Sequence, residues 1–156
     1  MNKILIHSDG GARGNPGPAG IGVAVEIRNS KSEIRNIKKI SKYIGIATNN
    51  QAEYKAVIEA LKWVANLPNH IPGMQGNGRI GNGDNLEIEF FLDSELVVEQ
   101  LNQRYKIKNE DLKPLFWQIR DLVMELGGKV SFKYIPREQN KKADKLVNEA
   151  IDRREI

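Results

Sequence analysis

The chain has 156 residues, of which 40% are hydrophobic and 28% charged, with a formal net charge of +4; this suits one folded domain with one core and excludes a disordered chain. No apolar run approaches the roughly 20 residues of a membrane span, and the apolar run in MNKILIHSDGG is too short for a secretory signal. With no cysteine, disulfides, thiolate metal sites and thiol nucleophiles are excluded, and a cytoplasmic protein without membrane contact is expected.

Taken in chain order, KILIHSD (3–9) reads as a strand with Ile4 and Ile6 on one face and Leu5, His7 and Asp9 on the other. Gly10 and Gly11 are expected to end it. IGVAVEIRN (21–29) is β-branched and apolar, a second strand, and 32–45 follows closely enough to be its hairpin partner. TNNQAEYKAVIEALKWVANLP (48–68) is the clearest helix: Thr48, Asn49 and Asn50 offer caps, Pro68 closes it, and Glu53, Val57, Ala60 and Val64 share one stripe. Gly and Asn dominate 69–85, read as a surface loop inserted in the single domain 1–156.

LEIEFFLD (86–93) is a strand closed by Asp93, and 94–103 a short helix. After the basic link RYKIKNE, Asp111 is expected to cap a helix whose first turn accepts Pro114 and which Gly127 and Gly128 stop. KVSFKYIP (129–136) is a last strand. A final helix follows REQN, with Asn140 as its expected cap and Asp144 near its start. The order β-β-β-α-β-α-α-β-α predicts a mixed five-stranded α/β sheet, three antiparallel strands then two parallel ones added by crossover, flanked by helices. Both tryptophans, Trp63 and Trp117, are expected to be packed or half-buried, and His7 and His70 lack metal-ligand spacing.

Four carboxylates stand where such a sheet gathers its functional edge: Asp9 and Asp93 at strand ends, Glu53 and Asp144 near helix starts. Singly, each is explained as well by a turn, a cap or the helix dipole. Together, if the first and fourth strands are parallel neighbours, they converge. Crowded carboxylates repel unless protons or cations neutralise them, and an all-oxygen set suits Mg2+ or Mn2+ rather than zinc.

In SDGGARGNPGPAGIG (8–22), TNNQAEYKAVIEAL (48–61), LDSELVVEQL (92–101) and REQNKKADKLVNEA (137–150) the chain resembles type 1 ribonuclease H, over nearly its whole length apart from 69–85. The resemblance implies the ribonuclease H-like fold and an endonuclease that cuts the RNA strand of RNA–DNA hybrids, leaving 5′-phosphate and 3′-hydroxyl ends. It implies that Asp9, Glu53, Asp93 and Asp144 are the catalytic residues and ligate two Mg2+ ions, with Mn2+ as the alternative. It places Gly10, Gly11, Asn15, Thr48, Asn49 and Gln51 against the nucleic acid, Asn15 on the RNA strand and Thr48 and Asn49 on a DNA phosphate.

Two departures matter. The loop PREQNKK lacks the histidine that the family often carries there, so Arg137 is the candidate for that position; it stays protonated and cannot act as a base. The link LNQRYKIKNEDLKP is too short for the extra basic helix some relatives use as a hybrid-binding handle, a loss that Arg104, Lys106 and Lys108 are expected to offset in part. Double-stranded RNA is a second candidate substrate, and a monomer is expected. The alternatives are a hybrid-binding module without catalysis and a related nuclease acting on double-stranded RNA or DNA junctions.

Overall fold

The computed structural model describes residues 3–66 and 87–154; the Gly-rich segment 69–85, with His70 and Pro68, lies outside them. Strands β1 (Lys3–Ala12), β2 (Gly17–Arg28) and β3 (Ile34–Ala47) form an antiparallel meander. Helix α1 (Asn49–Ala65) follows, then β4 (Glu87–Leu92), α2 (Glu95–Leu101), α3 (Lys113–Glu125), β5 (Val130–Tyr134), a 3-10 turn at Arg137–Gln139 and α4 (Lys141–Arg153). The sheet order is β3-β2-β1-β4-β5, with β4 parallel to both β1 and β5. The mixed five-stranded sheet read from the sequence is borne out.

The core lies between the sheet and α1, α2 and α3. Ile4 and Ile6 of β1, Ile88, Phe90 and Leu92 of β4, and Val57, Leu61 and Val64 of α1 are all but inaccessible to solvent. At roughly 2 kcal/mol for each large side chain removed from water, this layer dominates the stability of the fold. Tyr54 is fully buried, and its hydroxyl donates to Gln100 Oε1 at 2.7 Å, so its polar tip ties α1 to α2.

Three local expectations are corrected. Gly10 and Gly11 do not end β1. The strand runs on to Ala12 because Gly10, Gly11 and Ala12 pair with Ile21, Gly20 and Ala19, which moves the start of β2 back to Gly17 and leaves a tight turn at 13–16. Asp111 does not cap α3: the residue before the helix is Leu112 and no side chain caps it, while the Asp111 amide donates to Asn109 Oδ1. Trp117 is 62% exposed, because it stands on the outer side of α3 while Ile119 and Val123 face inward; Trp63 packs against the core as expected.

The opposite face of the sheet carries α4. A Cβ on Gly22 would collide with the Ala143 carbonyl, and one on Gly10 would collide with the Ala52 carbonyl of α1 on the other face. Glycine at these two positions therefore sets how closely α4 and α1 approach the sheet. Arg153 Nη2 donates to Ser41 Oγ and to its carbonyl, both at 3.0 Å, and fastens the far end of α4 to β3. Among the described residues no helix is long and apolar enough to cross a membrane.

Candidate active site

The register between β1 and β4 builds the site. Their parallel pairing ends at His7 opposite Phe91. Asp9 and Asp93 each lie two residues further along, so they emerge at the same level and, by alternation, on the same side. The edge arises where β4 stops, not where β1 stops. His7 itself stacks on Phe91 with ring centroids 4.9 Å apart, and burial lowers its pKa.

Glu53 reaches this point from the first turns of α1. Thr48 Oγ1 accepts from the Gln51 amide at 3.1 Å, and Gln51 Oε1 accepts from the Thr48 amide at 2.9 Å, a complete capping box. The close contact at Gly10 then presses the Ala52–Glu53 backbone against β1. Carboxylate oxygens of Asp9, Glu53 and Asp93 all lie within 4.8 Å of one another. Asp144, on the first turn of α4, lines the same cleft of roughly 410 Å³ but stands outside that tight group. Arg13, Asn49, Asn50, Ser94, Arg137 and Asn148 complete its polar wall.

The electrostatics of this cluster are those of a site short of positive charge. Burial raises the Asp9 pKa to about 6, with Asp93 and Asp144 adding to the rise, while the hydrogen bond with Glu53 and the Gly10 amide at 3.0 Å pull it down. For Glu53, burial again comes first, and both the hydrogen bond to Asp9 and its charge push the pKa further up. Glu53 Oε2 is buried with no hydrogen-bond partner among the described residues. An orphaned carboxylate oxygen beside two more carboxylates is the donor set that a hard divalent cation completes.

Asn140, expected as a cap, does other work. It makes no capping bond; at 1% exposure its Nδ2 donates to Asp93 Oδ2 and to the Ser8 carbonyl, each at 3.0 Å. Its place four residues before Asp144, at the mouth of α4, was the signal in the sequence, and a capping role hid it. Asn15 and Asn49 interlock: the Asn49 amide donates to Asn15 Oδ1 at 2.9 Å and Asn49 Oδ1 accepts from the Ala12 amide at 2.8 Å. The turn at 13–16 is thereby pinned to the start of α1. Gly10 and Gly11 line the cleft, as does the exposed Arg137; Asn15, Thr48 and Gln51 stand beside it rather than in its wall. Arg104, itself exposed, is engaged by Glu99 through Nε at 2.7 Å and Nη2 at 2.8 Å, whereas the exposed Lys106 and Lys108 of that link make no ion pair among the described residues.

A family model described as reverse transcriptase-like matches residues 83–150. The chain is 30% identical to Ribonuclease H of Erythrobacter litoralis, covering 97% of this chain and 98% of that one. The chain belongs to the type 1 ribonuclease H family. LC11-RNase H1, isolated from compost by a metagenomic approach, superimposes with a TM-score of 0.81 at 44% identity, covering 98% of both chains. A second structure of that protein is a complex with an RNA/DNA hybrid and aligns with a TM-score of 0.80 at 42% identity, covering 96% of this chain and 97% of that one. A bifunctional protein of Mycobacterium tuberculosis is 35% identical over 150 residues, which cover 96% of this chain but 36% of that protein, so the chain spans about a third of the length of that relative.

Proposed function

We propose that this chain is an endonuclease that hydrolyses the RNA strand of RNA–DNA hybrids. The observation that carries the reading is the meeting of Asp9, Glu53 and Asp93 within 4.8 Å, with Asp144 in the same cleft, on a member of the ribonuclease H family. Two divalent ions, Mg2+ first and Mn2+ in its place, would be held by these four carboxylates and would supply Lewis-acid activation of water and charge neutralisation at the leaving oxygen. All four ligands come from one chain, so a single copy completes the site.

The chain's own groups then have defined tasks. Asn140 holds Asp93 in one orientation from behind. Asn15 and Asn49 spend their Oδ1 atoms on the protein. Their Nδ2 groups have no hydrogen bond among the described residues, which suits donors aimed at a 2′-hydroxyl or a phosphate. The amides at the start of α1, which Thr48 and Gln51 fix in place, suit a phosphate of the DNA strand. Gly10 and Gly11 keep the cleft floor free of bulk. Arg137 is a permanent positive charge at the rim, fit to hold a phosphate near the bond that breaks. Water adds at phosphorus and the bond to the 3′ oxygen breaks, leaving a 5′-phosphate and a 3′-hydroxyl.

The test is cleavage of a hybrid labelled on its RNA strand, with Mg2+, by the wild type and by Asp9→Asn and Asp93→Asn. Loss of cleavage in both variants is expected, and rapid cleavage by either removes the carboxylate assignment.

A further inference from the structure

Arg13 is a cation of the cleft wall that the sequence motifs did not single out. It sits on the turn between β1 and β2 and lies along α4, beside the ridge that Asp144, Asn148 and Asp152 form at intervals of four residues. Its Nη1 is 2.7 Å from Asp152 Oδ1, and its Nη2 approaches Asn148 Oδ1 at 3.4 Å and the Asn148 carbonyl at 3.5 Å. Asn148 in turn donates from Nδ2 to the Asp144 carbonyl at 3.1 Å. The guanidinium thus stands between one and two helical turns from Asp144, at about 5.4 Å per turn.

The ion pair is a poor candidate for a structural fastening. Both partners are exposed, Arg13 by 43% and Asp152 by 66%, and exposed pairs contribute little. The turn is held instead by the Arg13 amide on the Pro18 carbonyl at 2.9 Å and by the Asn15–Asn49–Ala12 bonds. What remains is a planar fork of donors at the rim of a cleft otherwise dominated by negative charge, with an exposed carboxylate as its present partner. A phosphodiester offers the same fork a matching pair of oxygens.

We infer that Arg13 clamps a backbone phosphate of the strand that crosses the carboxylates, and that Asp152 occupies the guanidinium when no strand is bound. This rests on the ribonuclease reading above and adds to it a residue of the β1–β2 turn. The offset along α4 from Asp144 directs the clamp to a phosphate neighbouring the scissile one. Arg13 therefore contributes to strand binding and register and not to the bond-breaking step.

The experiment compares steady-state hybrid cleavage by the wild type, Arg13→Ala and Asp152→Asn over a range of KCl, together with thermal unfolding. For Arg13→Ala the expected result is a KM raised about five- to ten-fold with kcat within about two-fold, and a slope of log KM against log salt reduced by about one. Asp152→Asn releases the guanidinium, and its KM is expected at or below that of the wild type. If the pair is only a latch, the two variants behave alike, both unfold at lower temperature and neither changes the salt slope; that result overturns the clamp. A wild type that leaves the hybrid intact overturns the ribonuclease reading and the clamp with it. A wild type that cleaves while Arg13→Ala keeps its KM and salt slope overturns the clamp alone.

Discussion

Asn140 donates a hydrogen bond to Asp93 across 47 residues of sequence, and the same amide group holds the Ser8 carbonyl next to Asp9. One buried side chain at the mouth of α4 thereby ties β1, the end of β4 and the helix that carries Asp144 into a single unit. Replacing it with alanine frees Asp93 to rotate and leaves a buried carbonyl short of a donor, at a cost of about 1–3 kcal/mol. Asn140→Ala is expected to lower the hybrid cleavage rate by more than ten-fold and the unfolding midpoint by several degrees. Asn140→Asp is expected to be worse for catalysis, because it sets a further carboxylate against Asp93; kcat and thermal scans of both variants check this.

The buried carboxylates make the ion-free protein sensitive to pH. Asp9 has its pKa raised from 3.8 to about 6, so the folded state binds a proton more tightly than the unfolded chain. Its contribution to stability is full below pH 3.8 and is lost as pH rises through about 6. In chelator, Asp9→Asn is expected to stabilise the protein at pH 7 by on the order of 2–3 kcal/mol, taking about 1.4 kcal/mol per pH unit. Most of that gain is expected to vanish near pH 4. Denaturant unfolding at the two pH values measures it.

Divalent ions should reverse that penalty. Mg2+ binding to the folded chain alone is expected to raise the unfolding midpoint, by about 2.7 kcal/mol of stability at a hundred-fold excess over Kd. Asp93→Asn should weaken this response markedly. Thermal scans with and without Mg2+ read it without any substrate present.

The close approach of α4 to β2 is set at Gly22, where a Cβ would meet the Ala143 carbonyl. Gly22→Ala is expected to destabilise by about 1–3 kcal/mol, the usual cost of overpacking. Because Ala143 precedes Asp144, the same change should reduce cleavage more than that stability loss explains. Activity measured well below the unfolding midpoint separates the two effects.

Much of this arrangement was legible in the sequence, for reasons that differ by element. The apolar stripe from Val57 to Val64 and the alternation of Ile88, Phe90 and Leu92 carried the fold, because burial imposes period on the residues themselves. Asp9 and Asp93 were legible once β1 and β4 were taken as parallel neighbours. The ends of β1 and β2 were not: glycines that signal a turn in isolation can also mark a place where helices press on a strand, as Gly10 and Gly22 do here. Asn140 and Arg13 were hidden for a related reason. Their partners, Asp93 and Asp152, are 47 and 139 residues away, and no local pattern records a contact of that range.

The most direct measurement is strand-specific cleavage of an RNA–DNA hybrid, run beside double-stranded RNA and double-stranded DNA, each with Mg2+ and with Mn2+. The expected result is cutting of the RNA strand of the hybrid, with 5′-phosphate and 3′-hydroxyl ends, abolished by chelator and by Asp93→Asn. Cutting of the DNA strand, a preference for either homoduplex, or hybrid cleavage that persists in Asp93→Asn would contradict it.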